Sequence, residues 1–256
     1  MSSTLFHGDC LELMRKVPDA SVDLVLTDLP YGVTQNHWDS VIPLDRLWEE
    51  WLRVAKKDCS FVLFGQGMFT AKLMFSNPDL WKYNLIWDKH LAGDFLNSHR
   101  RPMRIHEDIV VFQRGNTPYN PQMTVGQRLH TRKNYPREGV EGLKGSNNYG
   151  KIKVQKHLSP GSTEKYPESI VSFQKPHPAT AVHPTEKPVN LLRWLIATYS
   201  NPGDTVLDCT MGSGSTGVAA VMEGREFIGI ELEEKYFSLA QERIKGAEME
   251  MASRLF

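Results

Sequence analysis

The sequence predicts an α/β protein, a doubly wound Rossmann-like sheet interrupted by one insertion. Three observations predict it. Short apolar runs at 22–27, 60–64, 83–87 and 109–112 fit strands buried on both faces of a parallel sheet. Beyond a basic segment, "GDTVLDC" (203–209) and "EFIGIEL" (226–232) repeat the pattern, each followed by a helical stretch. Between the two, the glycine-rich "MGSGSTG" (211–217) stands after a strand and before a helix, where doubly wound sheets receive their ligands.

The elements follow in order. Leu44, Leu47, Trp48, Trp51, Leu52 and Val54–Ala55 form a helical stripe between the first two strands. The segment "HPTEKPVNLLRWLIATYS" (183–200) predicts a helix with Thr185 as its N-cap and Pro188 in its first turn, where a missing N–H does no harm. A strand at 204–208, a helix at 215–223, a strand at 226–232 and a last helix at 233–245 complete the reading. The chain contains no internal repeat and no low-complexity tract.

Composition narrows the class. At 256 residues, 40% hydrophobic with 15 prolines, the chain reads as one globular domain carrying an insertion. No apolar run approaches the ~18–20 residues that cross a membrane, and the polar start "MSSTLFHGDC" is not a signal peptide. Cys10, Cys59 and Cys209 are odd in number and lack metal-ligand spacing, so a cytoplasmic location with reduced thiols is expected. His90, His99 and His106 also lack paired spacing, and no metal is expected. Formal net charge is zero, but the segment from Arg100 to Lys156 holds 12 Lys/Arg against four acids, a local +8 balanced by −8 elsewhere. Tyr119, Tyr135 and Tyr149 are interleaved with those charges. That asymmetry fits an insertion following a phosphate backbone better than an ordinary solvated loop.

Gly212, Gly214 and Gly217 have the G-x-G-x-x-G spacing, and Glu231 ends the next strand. Glycines permit a tight turn and close approach of a ligand, and the acid accepts ribose hydroxyls, so a nucleoside-bearing ligand is expected. A dinucleotide would set its pyrophosphate over this loop, against the charge of Asp208. The chain after Gly217 is also too short for the second half of a dinucleotide fold. S-adenosyl-L-methionine fits better: it carries no phosphate, and its sulfonium and ammonium tolerate nearby carboxylates.

The strand "VDLVLT" stops on Asp28-Leu29-Pro30-Tyr31. If it lies parallel to strand 204–208, both carboxyl ends open on one crevice. An exocyclic nucleobase amine is a poor nucleophile because its lone pair is delocalised. A carboxylate (Asp28) and a fixed main-chain carbonyl (Leu29) accepting its two N–H bonds free that lone pair. Tyr31 offers a stacking face worth about 1–3 kcal/mol, and Pro30 holds Leu29 extended. A base inside a duplex must first leave the stack, so base flipping is implied. Trp38, just after this turn, either covers the base or packs the rim.

These residues resemble the amino-methylating DNA methyltransferases that modify adenine N6 or cytosine N4. "DLPY" corresponds to their Asp-Pro-Pro-Tyr motif, "DCTMGSGSTG" to their donor motif and "HPTEKPVNLL" to the segment preceding it, with "GDCLEL" (8–13) ahead of the catalytic strand. The order, catalytic motif first and donor motif last, is that of the β group, a circularly permuted methyltransferase fold. The resemblance implies a catalytic and donor-binding domain at 1–115 and 180–256 and a target-recognition insert at 116–179. It implies that Asp28 and the Leu29 carbonyl hold the amine beside Pro30, with Tyr31 stacking. Asp208, Gly212 and Gly214 then shape the donor pocket, Glu231 takes the ribose, Asp9 the donor adenine, and Thr185 with Lys187 the methionine end. Leu29 departs from the family's proline but keeps the main-chain acceptor. An acid at Asp28 points to adenine N6 in double-stranded DNA, with cytosine N4 or an RNA base as alternatives. A homodimer and a restriction endonuclease partner are further expectations of the resemblance. A nicotinamide oxidoreductase leaves the "DLPY" turn without a role, and a protein-glutamine methyltransferase leaves the basic segment without one.

Overall fold

The computed structural model describes residues 2–32, 41–93, 95–126, 163–175 and 186–254. Trp38, Thr185 and the stretch 127–162 of the basic segment lie outside the described residues. Ten strands are described: β1 (Ser3–His7), β2 (Val22–Thr27), β3 (Ala55–Gly65), β4 (Trp81–Gly93), β5 (Arg104–Arg114), β6 (Thr124–Val125), β7 (Glu164–Lys165), β8 (Ile170–Ser172), β9 (Thr205–Asp208) and β10 (Glu226–Glu231). The α-helices are α1 (Cys10–Leu13), α2 (Leu44–Val54), α3 (Met68–Ser76), α4 (Val189–Tyr199), α5 (Ser215–Met222) and α6 (Glu234–Ser253).

Eight strands form one sheet in the order β1-β10-β9-β2-β3-β5-β4-β8. The run "VDLVLT" is apolar on both faces because both are covered. Leu24 and Leu26 pack in the core built with α4, α5 and α6. Val25 packs in the opposite core with residues of α1, α2 and α3. From β9 the chain continues outward through α5 to β10, and from β2 it departs the other way through α2 to β3. The adjacency of β2 and β9, with Leu24 opposite Val206 and Val25 opposite Leu207, is therefore the switch point of the sheet. β1 pairs in parallel with β10 from Ser3–Phe227 to His7–Glu231, so the start of the chain completes the donor-side half. This is the permuted Rossmann-like order.

Several sequence expectations require correction. The sheet is mixed: β5 runs antiparallel to both β3 and β4. Burial on two faces makes a strand apolar whichever way it runs, whereas direction is set by the connection, here a hairpin with no crossover helix. α4 starts at Val189 with Pro188 as its N-cap, not at Thr185. Pro188 has no N–H to leave unpaired, and it biases Lys187 towards extended backbone. α6 runs to Ser253, well past 245. β1, α1 and α3 were not anticipated. β1 is half-buried, without clear alternation, and α1 is a single turn.

Contacts divide the chain into two compact units, Met1–Asn120 with Glu168–Phe256, and Pro121–Pro167. The first holds the eight-stranded sheet, including β8, which pairs with β4. The second lies within the 116–179 segment, and its described residues form the short antiparallel ladder of β6 and β7.

Candidate active site

A cavity of about 330 Å³ opens at the carboxyl ends of the parallel strands. It is lined from the donor side by Asp9, Asp208, Gly212 and Glu231, and from the other side by Asp28, Leu29, Pro30, Tyr31 and Lys187. Ten of the eleven residues singled out in the sequence are described, and nine of those line this cavity. The tenth, Gly214, caps α5 behind it, and Thr185 lies outside the described residues.

On the donor side the glycine turn is tightly built. Gly212 and Gly214 have φ of 52° and 79°, in the left-handed region that favours glycine. A Cβ on Gly214 would fall 2.8 Å from the Cβ of Ala240 in α6, so this position admits no side chain. The Gly212 N–H donates to Glu231 Oε2 at 2.8 Å, and the Glu233 N–H to Oε1 at 2.8 Å. The Leu232 N–H also approaches this carboxylate, which retains further acceptor capacity. Burial raises this carboxyl above its ordinary range, with the backbone donors opposing the shift. Asp9 accepts the Glu12 N–H at 3.1 Å and so caps α1 while lining the cavity. Glu186, also on the lining, accepts from Ser215 Oγ at 3.0 Å and from Arg243 at 2.6 Å, tying the segment before α4 to α5 and α6. A glycine turn without room for side chains, beside a buried carboxylate with free acceptor capacity, fits the ribose and backbone of S-adenosylmethionine.

The two halves of the site are joined by hydroxyls. Thr27 Oγ1, at the end of β2, donates to Asp208 Oδ1 at 2.7 Å. Thr210 Oγ1 lies 2.8 Å from Thr27 Oγ1 and donates to the main-chain carbonyl of Asp28 at 3.0 Å. Burial pushes the Asp208 carboxyl up to about 6, against the hydrogen bonds from Thr216, Thr27 and Thr210.

On the acceptor side, Leu29 is buried among Val25, Leu207 and Cys209. The leucine therefore anchors the turn by packing, where proline would stiffen it. Tyr31 donates its hydroxyl to Asp28 Oδ1 at 2.7 Å, and its ring centroid stands 4.7 Å from that of Phe69. Burial and the Asp28 charge hold the Tyr31 phenol well above its ordinary range, so it stays a donor. Lys187, for which the sequence implies the methionine end of the donor, lines the cavity. Its ammonium forms an ion pair with Asp28 Oδ2, lies 3.3 Å from Glu107 Oε2 and sits over the Phe64 ring. Lys89 pairs with Glu107 Oε1 at 3.1 Å. Burial lifts Asp28 above the usual carboxylate range while Lys187 pulls it down. Burial also works against the charge of Glu107, but Lys187 and Lys89 outweigh it and leave that carboxyl below its ordinary value.

Sequence reasoning missed Thr27, Thr210, Glu107, Lys89 and Glu186. A signal existed for the threonines, each next to a site acid or one residue from it, in "TDLPY" and "DCT". For Glu107 the signal was an acid within the apolar strand "RIHEDIVVF".

A permuted Rossmann-like sheet whose glycine-turn cleft and Asp-Leu-Pro-Tyr turn share one cavity defines an S-adenosylmethionine-dependent methyltransferase. The DNA methylase family of N6/N4 amino methyltransferases matches residues 22–242, and the chain belongs to that family. It is 30% identical to the DNA adenine methyltransferase YhdJ of Escherichia coli (strain K12) over 277 residues, spanning 99% of this chain and 86% of the relative. It is 28% identical to the Type II methyltransferase M.HinfI of Haemophilus influenzae, over 95% of this chain and 68% of that protein. In fold it is similar to M1.HpyAVI in its SAM complex, with a TM-score of 0.63 at 23% identity over 94% and 98% of the two chains. It is also similar in fold to the cytosine-N4-specific PvuII DNA methyltransferase, with a TM-score of 0.65 at 16% identity over 97% and 92%.

Proposed function

We propose that this chain transfers a methyl group from S-adenosylmethionine to the exocyclic N6 of a flipped adenine in double-stranded DNA. The observation that carries the reading is the single cavity onto which Glu231, Gly212, Asp28 and Tyr31 all open. When bound, S-adenosylmethionine supplies a methyl group already activated by its sulfonium. The chain's part is placement and polarisation of the amine. Glu231 holds the ribose hydroxyls, and Gly212 and Gly214 leave room for the donor's backbone. Asp9 and Asp208 complete that wall. Asp28 and the Leu29 carbonyl accept the two amine N–H bonds, localising the nitrogen lone pair, while Pro30 fixes the turn and Tyr31 stacks. Lys187 keeps Asp28 charged. No covalent intermediate is needed, and Cys10, Cys59 and Cys209 are buried.

The basic segment 116–179 is assigned to target recognition because its charge suits a phosphate backbone. A homodimer, a companion restriction endonuclease and a cytoplasmic location belong to the same reading.

The test is mass spectrometry of nucleosides from unmethylated DNA, and from RNA in parallel, after incubation with the protein and S-adenosylmethionine. N6-methyladenine in DNA is expected, and Asp28→Ala abolishes it while leaving donor binding intact. N4-methylcytosine would overturn the base assignment, and methylation confined to RNA would overturn the substrate.

A further inference from the structure

The turn joining β4 to β5 gathers several exposed apolar side chains. Phe95 and Leu96 are 75% and 95% exposed, and Leu91, Met103 and Ile105 are each nearly half exposed. So much large apolar surface in one hairpin is not ordinary solvent-facing loop. The tip is nevertheless ordered by its own backbone. Ser98 N–H donates to Phe95 O at 3.0 Å, and the N–H groups of Arg100 and Arg101 both donate to Asn97 O, at 2.8 and 3.0 Å. The stretch 91–105 also carries Arg100, Arg101 and Arg104 against a single acid, Asp94.

Its position follows from register. Trp87 of β4 and Glu107 of β5 face each other across the ladder, and both line the cavity. Gly65, the last residue of β3, pairs with Asp108, so the hairpin leaves the sheet at the edge where β2 and β3 end. Arg104 is three residues beyond Glu107, about 10 Å of strand. The tip therefore projects past the cavity at the carboxyl-end face of the sheet.

We propose that this hairpin tip is a DNA wedge. Phe95 and Leu96 enter the base stack beside the target nucleotide, and Arg100, Arg101 and Arg104 hold the flanking phosphates. Apolar side chains that unstack a base step, held in place by arginines, are a general device for deforming a duplex. The charge selects the occupant: a second protein chain binding through apolar contacts has no need of three arginines around the tip, whereas a polyanion does. The proposal rests on the DNA-methylating reading and names the surface that meets the duplex.

The test uses the full-length protein with long unmethylated duplex DNA. F95S/L96S lowers kcat/KM for the duplex about tenfold or more and leaves S-adenosylmethionine affinity within about twofold. R100Q/R101Q reduces the slope of log affinity against log salt by about 2, one phosphate contact for each arginine. In a Leu96→Trp variant, the added indole fluorescence is quenched on mixing with duplex, as stacking requires. Unchanged duplex activity together with an unchanged salt slope would overturn the proposal. Conversion of an oligomer to a monomer by F95S/L96S, seen by sedimentation, would also overturn it and make the tip a self-association surface. If the wild type methylates no DNA the underlying reading fails instead, and that result is separate from the salt slope and the quenching.

Discussion

The ammonium of Lys187 rests on the carboxylate of Asp28, and 159 residues of chain separate them. The pair is nearly enclosed, and Glu107 and Lys89 extend it into a row of alternating charges. A buried carboxylate tends to take up a proton, and an adjacent cation opposes that. With Asp28 proposed as the amine acceptor, the ion pair gives Lys187 a proposed positioning role. Lys187→Met is expected to raise the Asp28 carboxyl further, moving the acid limb of the kcat–pH profile to higher pH. S-adenosylmethionine affinity is expected to stay within about threefold, because the proposed donor contacts are Glu231 and the glycine turn. A pH–rate series on wild type and variant checks this. Equal losses at every pH, with weakened donor binding, would return Lys187 to the methionine end of the donor.

Thr210 fixes the Asp28 main chain from across the switch point. Thr210→Val removes the 3.0 Å bond to the Asp28 carbonyl while keeping side-chain shape. Its net loss is about 1 kcal/mol. If that energy is expressed in placing the acceptor turn, kcat falls roughly fivefold with donor affinity unchanged. Single-turnover kinetics at saturating donor separates this from a binding defect.

Gly214 allows α5 to pack against α6. In Gly214→Ala the new methyl meets Ala240 Cβ at 2.8 Å and Cα at 2.9 Å, at a φ of +79°. Overpacking and left-handed strain together destabilise the fold by about 2–4 kcal/mol. Urea unfolding shows the loss of stability, and calorimetric titration shows weaker donor binding.

Asp208 carries a pH signature. Burial holds its folded carboxyl up at about 6, above the ordinary aspartate value of 3.8, so the folded state holds the proton more tightly than the unfolded chain. Stability supplied by this group is complete below the unfolded pKa and declines as pH rises through about 4 to 6. Asp208→Asn lacks this decline. Between pH 4 and pH 7.5 the stability difference is expected to move against the wild type by about 2–3 kcal/mol, read from unfolding curves at the two pH values.

The legible part of the site was the local part. "DLPY" and "GSGSTG" each concentrate their chemistry in a few consecutive residues, so strand, turn and function are read together. Glu107 and Lys89 sit in strands that run antiparallel, a direction that apolar content does not encode, and only the β4–β5 register brings Glu107 to the cavity with Lys89 beside it. Lys187 was legible as a site residue, but its partner was not. The segment before α4 also resembles a donor-binding motif, and only packing brings Lys187 to Asp28.

The α/β class and the two strand-end turns are legible in the amino-acid sequence, because burial periodicity and turn residues act over a few neighbouring positions. The antiparallel placement of β5, the pairing of β1 with β10, and the hydrogen bonds of Thr27 to Asp208 and of Thr210 to the Asp28 carbonyl are properties of the tertiary structure. So is the ion pair in which Lys187 opposes the effect of burial on Asp28. Each of these joins groups distant in the chain, and the free energy that selects them arises only when both cores close on the sheet.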